Sequence, residues 1–290
     1  MSSRIKPYLS LWDKSFKETH TRSYYMAMQL SMHGLIFTIY NPDKSKYLGV
    51  EAYYFGDIKD VKDIPGKFDL ILSRIEWFAY PFKKFKLLYQ NNYSTLVPLP
   101  LFDAEQKSLY LGFNQPFTEN RRIIYDTLKT SEAVNVYYIP NPVVEKVRDF
   151  WPNAIISHFS SSLIECLSLN YKNKIENDTL FLHVNDGSYY LTGFKNNKLL
   201  YHNSFTYNTK EDFIFFLLAT IEQLGYNPET VDLILLGKIE KSDEVFQMIH
   251  QYTGSHRYVE ENPSVKLSYV LEEMRRYRHY VLFNALQCEL

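Results

Sequence analysis

Cysteine is nearly missing. The 290 residues hold two, Cys166 and Cys288, with no CxxC pair. That excludes a cysteine-rich zinc site and a disulfide framework, and it fits a reducing compartment. Glycine is scarce too, at 10 residues, so a glycine-rich phosphate cradle has little to be built from. Charge of one sign is not in excess: 32 Lys and Arg stand against 33 Asp and Glu, a net charge of −1. No global pull toward nucleic acid or an anionic membrane follows, and no nucleic-acid partner is expected. Long apolar runs are also lacking. The longest, residues 213–219, is far short of the roughly 20 residues that cross a bilayer. The N-terminal stretch carries no apolar core of signal-peptide type. The expectation is a cytoplasmic protein that is not integral to a membrane.

What is present is globular. Hydrophobic residues make up 46% and charged residues 22%, outside the disordered range. With 25 Tyr and 20 Phe, the cores have large side chains to fill them. The length suggests about two domains.

Two hairpins stand out. Residues 32–55 hold strands rich in Ile, Phe, Tyr and Val with NPDKSK as the turn, and residues 183–203 read as a second hairpin with KNNK as the turn. Aligned, His33-Gly34 falls on Asp186-Gly187, near the start of each hairpin's first strand, about half a chain apart. Two halves that each open on a hairpin are implied. Thr209, with Asp212 three residues on, predicts a helix N-terminus, and Gly225 predicts its end. VDLILLG (231–237) reads as a strand buried on both faces. Ser242 is a cap for the next helix, HRYV (256–259) a strand, and residues 271–287 a closing helix. In the first half, residues 68–82 read as a helix ended by Pro81. Residues 87–100 read as two short strands bending at Asn91-Asn92, and 134–140 as a strand. Asn141 and Pro142 open a helix, 154–159 is a strand and 160–173 a helix. This pattern is α/β with mixed sheets. Residues 172–178 serve as a linker between a first half, 1–175, and a second, 176–290.

The order of hairpin, buried helix, apolar strand ending in Gly, helix, short strand and final helix resembles the second half of the actin-like ATPase superfamily. That superfamily includes actin, sugar kinases, heat-shock chaperones and pilus and secretion scaffolds. More narrowly, the chain resembles a bacterial domain-of-unknown-function family, number thirty-eight twenty-two. The resemblance implies an actin-like, ribonuclease H-like duplicated fold, with two mixed-sheet halves around a cleft. It also implies a nucleotide site in which each hairpin turn approaches the phosphates. Asp186 would hold magnesium through water, and the Gly187-Ser188 backbone and Gly34 would approach phosphate. Gly237, followed by Lys238, would lie beside the base. The chain departs from the superfamily pattern at His33-Gly34-Leu35, since a neutral imidazole does not replace a carboxylate beside a hard hydrated cation. It departs again after the apolar strand, where LLGKIEKS keeps one glycine.

Each feature has a plainer reading. Asp-Gly is a common turn pair, and Gly237-Lys238 is a loop leaving a buried strand. His33 and His183 match no metal motif and read as ordinary strand histidines. Cys166 reads as packed in a helix, and Ser160–162 as a helix cap, since no GxSxG elbow is present. Arg275, Arg276 and Arg278, close after Glu272 and Glu273, read as a solvated helix face. Tyr53-Tyr54-Phe55 and Tyr189-Tyr190 should each send half their rings to a core and half outward. The function implied is a non-catalytic scaffold that works through an unknown protein partner, with no cofactor required. The alternative is a weak ATPase or small-molecule kinase using ATP with magnesium.

Overall fold

The computed structural model describes residues 6–56, 58, 60–115, 121–175 and 178–287. Cys288 and residues 176 and 177 of the expected linker lie outside them. The described chain divides into two units. One takes the residues up to 166, with 263–274 and 281–287; the other takes 167–262 and 275–280, masked positions aside.

The first unit opens with β1 (Pro7–Trp12), β2 (Tyr25–Ser31), β3 (Gly34–Asn41) and β4 (Lys46–Tyr54). Asn41 closes the β3–β4 turn by accepting from the backbone N–H of Asp43 and Lys44, as Asx turns do. Then come α1 (Ile64–Leu72), β5 (Lys84–Gln90), β6 (Ser94–Pro98) and α2 (Lys107–Asn114). They are followed by β7 (Arg121–Leu128), β8 (Ala133–Pro140), α3 (Asn141–Phe150), β9 (Ile155–His158) and α4 (Phe159–Asn170). Strands order as β1-β4-β3-β2-β5-β9, with a separate β6-β8-β7 sheet. In the larger sheet β1 to β4 pair antiparallel, whereas β5 and β9 join in parallel. Aromatic rings knit its core: Phe85 stacks on Trp151 at 4.0 Å, and Phe37 meets Phe78 edge-on at 4.9 Å.

The second unit repeats the scheme. An antiparallel meander of β10 (Thr179–Asn185), β11 (Ser188–Lys195) and β12 (Lys198–Thr206) leads into α5 (Lys210–Gln223). After it come β13 (Asp232–Gly237), α6 (Glu244–Tyr252) and β14 (His256–Tyr258). The order is β12-β11-β10-β13-β14, with β13 and β14 parallel to β10. Asn196 and Asn197 both take positive φ in the β11–β12 turn, the geometry that suits two-residue hairpins. Thr209 and Asp212 form the expected capping box, and α5 ends at Gly225, φ +71°.

Some elements differ from expectation. Residues 271–287 are not one helix: short 3-10 turns lead into α7 (Tyr280–Asn284). This segment's own backbone bonds are short-range turns, and distant side chains take its carbonyls: Tyr47 donates to that of Phe283 and Lys86 to that of Ala285. The helix expected over 68–82 begins at Ile64 and stops at Leu72, where Ser73 turns back on Asp69. The cap before α6 is Asp243, not Ser242. Asn141 lies inside α3, its side chain accepting from Arg122. Ser160–162 lie inside α4 rather than capping it. Tyr189 and Tyr190 are both buried, because both faces of β11 are covered, whereas Tyr54 points outward as expected.

Candidate functional site

The carboxyl ends of β10 and β13 are neighbours because the two strands pair in parallel, with Val184 opposite Gly237. In open α/β sheets this is the edge where ligands lie. Asp186 and Gly187 make the tight turn from β10 into β11, closed by Asn185 opposite Ser188. The pair therefore sits between two strands, not near the start of a single one as expected. Gly187 has φ +65°. Tyr207 steadies the turn by donating its N–H to the Gly187 carbonyl at 3.1 Å and its hydroxyl to the Asn185 carbonyl at 3.3 Å.

The structure thus gathers five expected residues, Asp186, Gly187, Ser188, Gly237 and Lys238, in one region of the second unit. The side chain of Lys238 forms an ion pair with the Asp186 carboxylate, while its backbone N–H donates to the Val184 carbonyl at 2.7 Å. A magnesium aquo ion at Asp186 would have to displace that ammonium. Gly237, φ +87°, has a packing reason of its own: a Cβ there would stand 2.2 Å from the Val184 carbonyl oxygen.

The loop beyond is held from its other end as well. Glu240 receives Arg275 and, at 3.8 Å, Arg278. The Tyr277 hydroxyl donates to it at 3.0 Å. Arg276 pairs with Glu261 at 3.1 Å. Of the arginines read from the sequence as a solvated helix face, Arg275 and Arg278 instead fasten this loop, while Arg276 holds Glu261. His183 is buried in β10, and burial, with His279 adding to it, pushes its imidazole down to about 3. It is a neutral strand residue. Among the described residues, no three His, Cys, Asp or Glu side chains gather as a metal would need.

Gly34 belongs to the first unit, in the matching β2–β3 turn. There the His33 N–H donates to Ser31 Oγ, which donates on to the Gly34 carbonyl. His33 is exposed. A Cβ on Gly34 would lie 2.1 Å from the Tyr53 carbonyl oxygen of β4. Close strand approach therefore accounts for this glycine.

Two polar features escaped the sequence reading. One is a buried network around Asp126 of β7. Its carboxylate accepts from the His158 backbone N–H at 2.8 Å and the Tyr137 hydroxyl at 3.2 Å. Burial pushes the carboxyl up to about 6 despite those bonds, one from Ser161 and the nearby charge of Lys86. Glu165, also buried, is raised for the same first reason and bonds Thr130. The other is a cavity of about 680 Å³ between Trp12, Phe16, Glu51, Tyr53, Arg74 and Trp77. Glu51 there accepts from Ser10, Trp12 and Tyr53. Only tertiary pairing assembles either group, so no local motif announced them.

A family described as a protein of unknown function, DUF3822, matches residues 13–255. The chain belongs to this family. A Bacteroides thetaiotaomicron crystal structure, a protein with actin-like ATPase fold and unknown function, is 22% identical over 94% of this chain and 99% of that one, with a TM-score of 0.80. The type IV pilus biogenesis complex of PilM and PilN is 12% identical over 91% and 96%, with a TM-score of 0.57. This DUF3822 chain therefore has the actin-like ATPase fold expected from its sequence, with mixed sheets in both units. No curated protein matches it. Among its described residues, no helix is long and apolar enough to cross a membrane.

Proposed function

We propose that this chain is a cytoplasmic, non-catalytic scaffold that acts by holding a protein partner, on a fold whose nucleotide site has been closed by internal ion pairs. The observation that carries the reading is the Lys238–Asp186 pair. The carboxylate that would organise magnesium is matched by a cation the chain supplies itself. Phosphoryl transfer rests on positioning and charge neutralisation by metal, and this arrangement competes with it. Strand packing requires Gly237, and the positive φ of a tight turn accounts for Gly187, so neither glycine needs a phosphate cradle to explain it. Support for a protein partner comes from the PilM–PilN structure, in which a protein of similar fold is found in complex with another protein.

The test is a thermal melt with millimolar ATP or ADP and magnesium. A ligand at 100 times its dissociation constant stabilises by about 2.7 kcal/mol, which moves the midpoint by several degrees. The expected result is no shift, together with recovery of one reproducible protein from native lysate by the tagged chain. A shift that Asp186→Ala abolishes would overturn the proposal in favour of a nucleotide-dependent enzyme.

A further inference from the structure

Sheet edges are hazards that proteins guard with proline, charge or irregular pairing. The first unit's edge strand, β1, begins at Pro7 and shifts register between Pro7 and Leu9. The second unit's edge strand, β12, is guarded only at its beginning. Lys198 stands there, and Leu200 is an extra residue, since Phe194 opposes Leu199 while Gly193 opposes Tyr201. From Tyr201 to Thr206 there is no proline, bulge or carboxylate or ammonium group. The imidazole of His202 is pushed down to about 3 by burial and bonds Thr192. Asn203 Oδ1 accepts from the Ser204 backbone N–H at 2.9 Å, a local bond that pairing with a new strand would exchange, and among the described residues no backbone–backbone bond outside the sheet reaches this stretch.

The flank of this edge is aromatic. Phe205 stacks on Phe216 of α5, and Phe216 meets Phe215, whose side chain is 65% exposed. Tyr201 and Phe205 pack on the α5 face of the sheet. Directly opposed residues of paired strands share a face and alternate with period two.

We propose that β12 pairs antiparallel with β12 of a second copy of this chain, about a two-fold axis at Asn203. In that register Tyr201 of each copy faces Phe205 of the other, on the α5 side. His202 faces Ser204 on the reverse side, and Asn203 faces Asn203. No like charges meet, and an aromatic pair forms twice. Isologous contact of this kind closes on itself and gives a dimer rather than a filament. The occupant is a second copy because the alternation that complements Tyr201-x-x-x-Phe205 across an antiparallel ladder is that same segment reversed.

Sedimentation velocity of the full chain, from micromolar to tenth-millimolar, tests this. A dimer that grows with concentration is expected, with hydrogen exchange at 201–205 slowing over the same range. Asn203→Lys and Asn203→Asp should each weaken association at least about tenfold, since like charges directly opposed destabilise a sheet pair. Mixing the two variants should restore it. Asn203 is exposed, and unchanged melting midpoints would confirm that both variants fold. A wild-type chain that stays monomeric throughout would overturn the proposal. So would a dimer with no protection at 201–205, or one that both variants leave intact.

Discussion

The two units carry the same three-stranded meander, yet their first turns are used differently. In the first unit, Ser31 and His33 tie the turn through neutral hydrogen bonds confined to the turn itself. In the second, Asp186 reaches out of its turn to Lys238, beyond the end of β13. Duplication kept the backbone and let the chemistry diverge: one turn is closed on itself, the other is joined to a neighbouring strand by charge. Glycine is common to both. The reasons differ: Gly34 is demanded by the Tyr53 carbonyl and Gly187 by its positive φ, while Gly237, at the end of β13, is demanded by Val184.

That comparison breaks first at the glycines. Gly34→Ala should cost about 3 kcal/mol, because the methyl meets a strand carbonyl with nowhere to move. Gly237→Ala should cost about 1–2 kcal/mol more, for its left-handed backbone. Denaturant unfolding measures both. A Gly237→Ala protein as stable as the wild type would mean that this glycine serves something outside the fold. Gly187→Ala, whose methyl has space, should show only the backbone penalty.

The next largest effect separates the units by pH. Asp126 of the first unit has its folded value raised from 3.8 to about 6. Folding therefore takes up a proton at this group between those values, and its own contribution to stability falls as pH rises across that window, against the opposite contribution of the buried His183 and His202 of the second unit. The shift corresponds to about 3 kcal/mol, complete above pH ~6. Asp126→Ala should remove that contribution, so that stability rises more between pH ~4 and ~6 than in the wild type, read by urea titrations at successive pH values; an unchanged profile would place its source elsewhere.

Thr209→Ala removes one arm of the α5 capping box and should cost about 1 kcal/mol, read as a shift in midpoint with the urea dependence unchanged. The smallest effect belongs to the ion pair itself. Both partners are substantially exposed, so Lys238→Ala should change stability by less than about 1 kcal/mol, and less still in high salt. A larger loss would mean that the pair, more than the backbone, holds the β13 loop against its neighbours.

The sequence made much of this legible wherever local chemistry decides. Thr209 and Asp212, Gly225 and the apolar run of β13 each carry their own signal, and the resemblance carried the fold. It was silent at β2 and β10. MAMQL and TLFLH are short apolar runs without alternation, and periodicity alone does not tell such runs from pieces of buried helix. It misread 271–287, where apolar spacing resembles a helix but each short piece is fixed by distant partners. For the candidate site, Asp186 and Lys238 were both named, but 52 residues separate them, and only the parallel pairing of β10 with β13 reveals that they neutralise each other.

The buried ammonium of Lys86 has a consequence for how the chain is made. One of its acceptors is the Ala285 carbonyl at 3.0 Å, 199 residues further on. Tyr47 likewise waits for the Phe283 carbonyl. At about 5–20 residues per second of synthesis, the ribosome needs roughly 10–40 s to deliver that strand of chain. During that interval the second unit's residues, 167–262 and 275–280, are themselves delivered, while the first unit, though begun earlier, still lacks its last segment, 281–287. Birth order and completion order are therefore reversed: the half that emerges first is the half that finishes last.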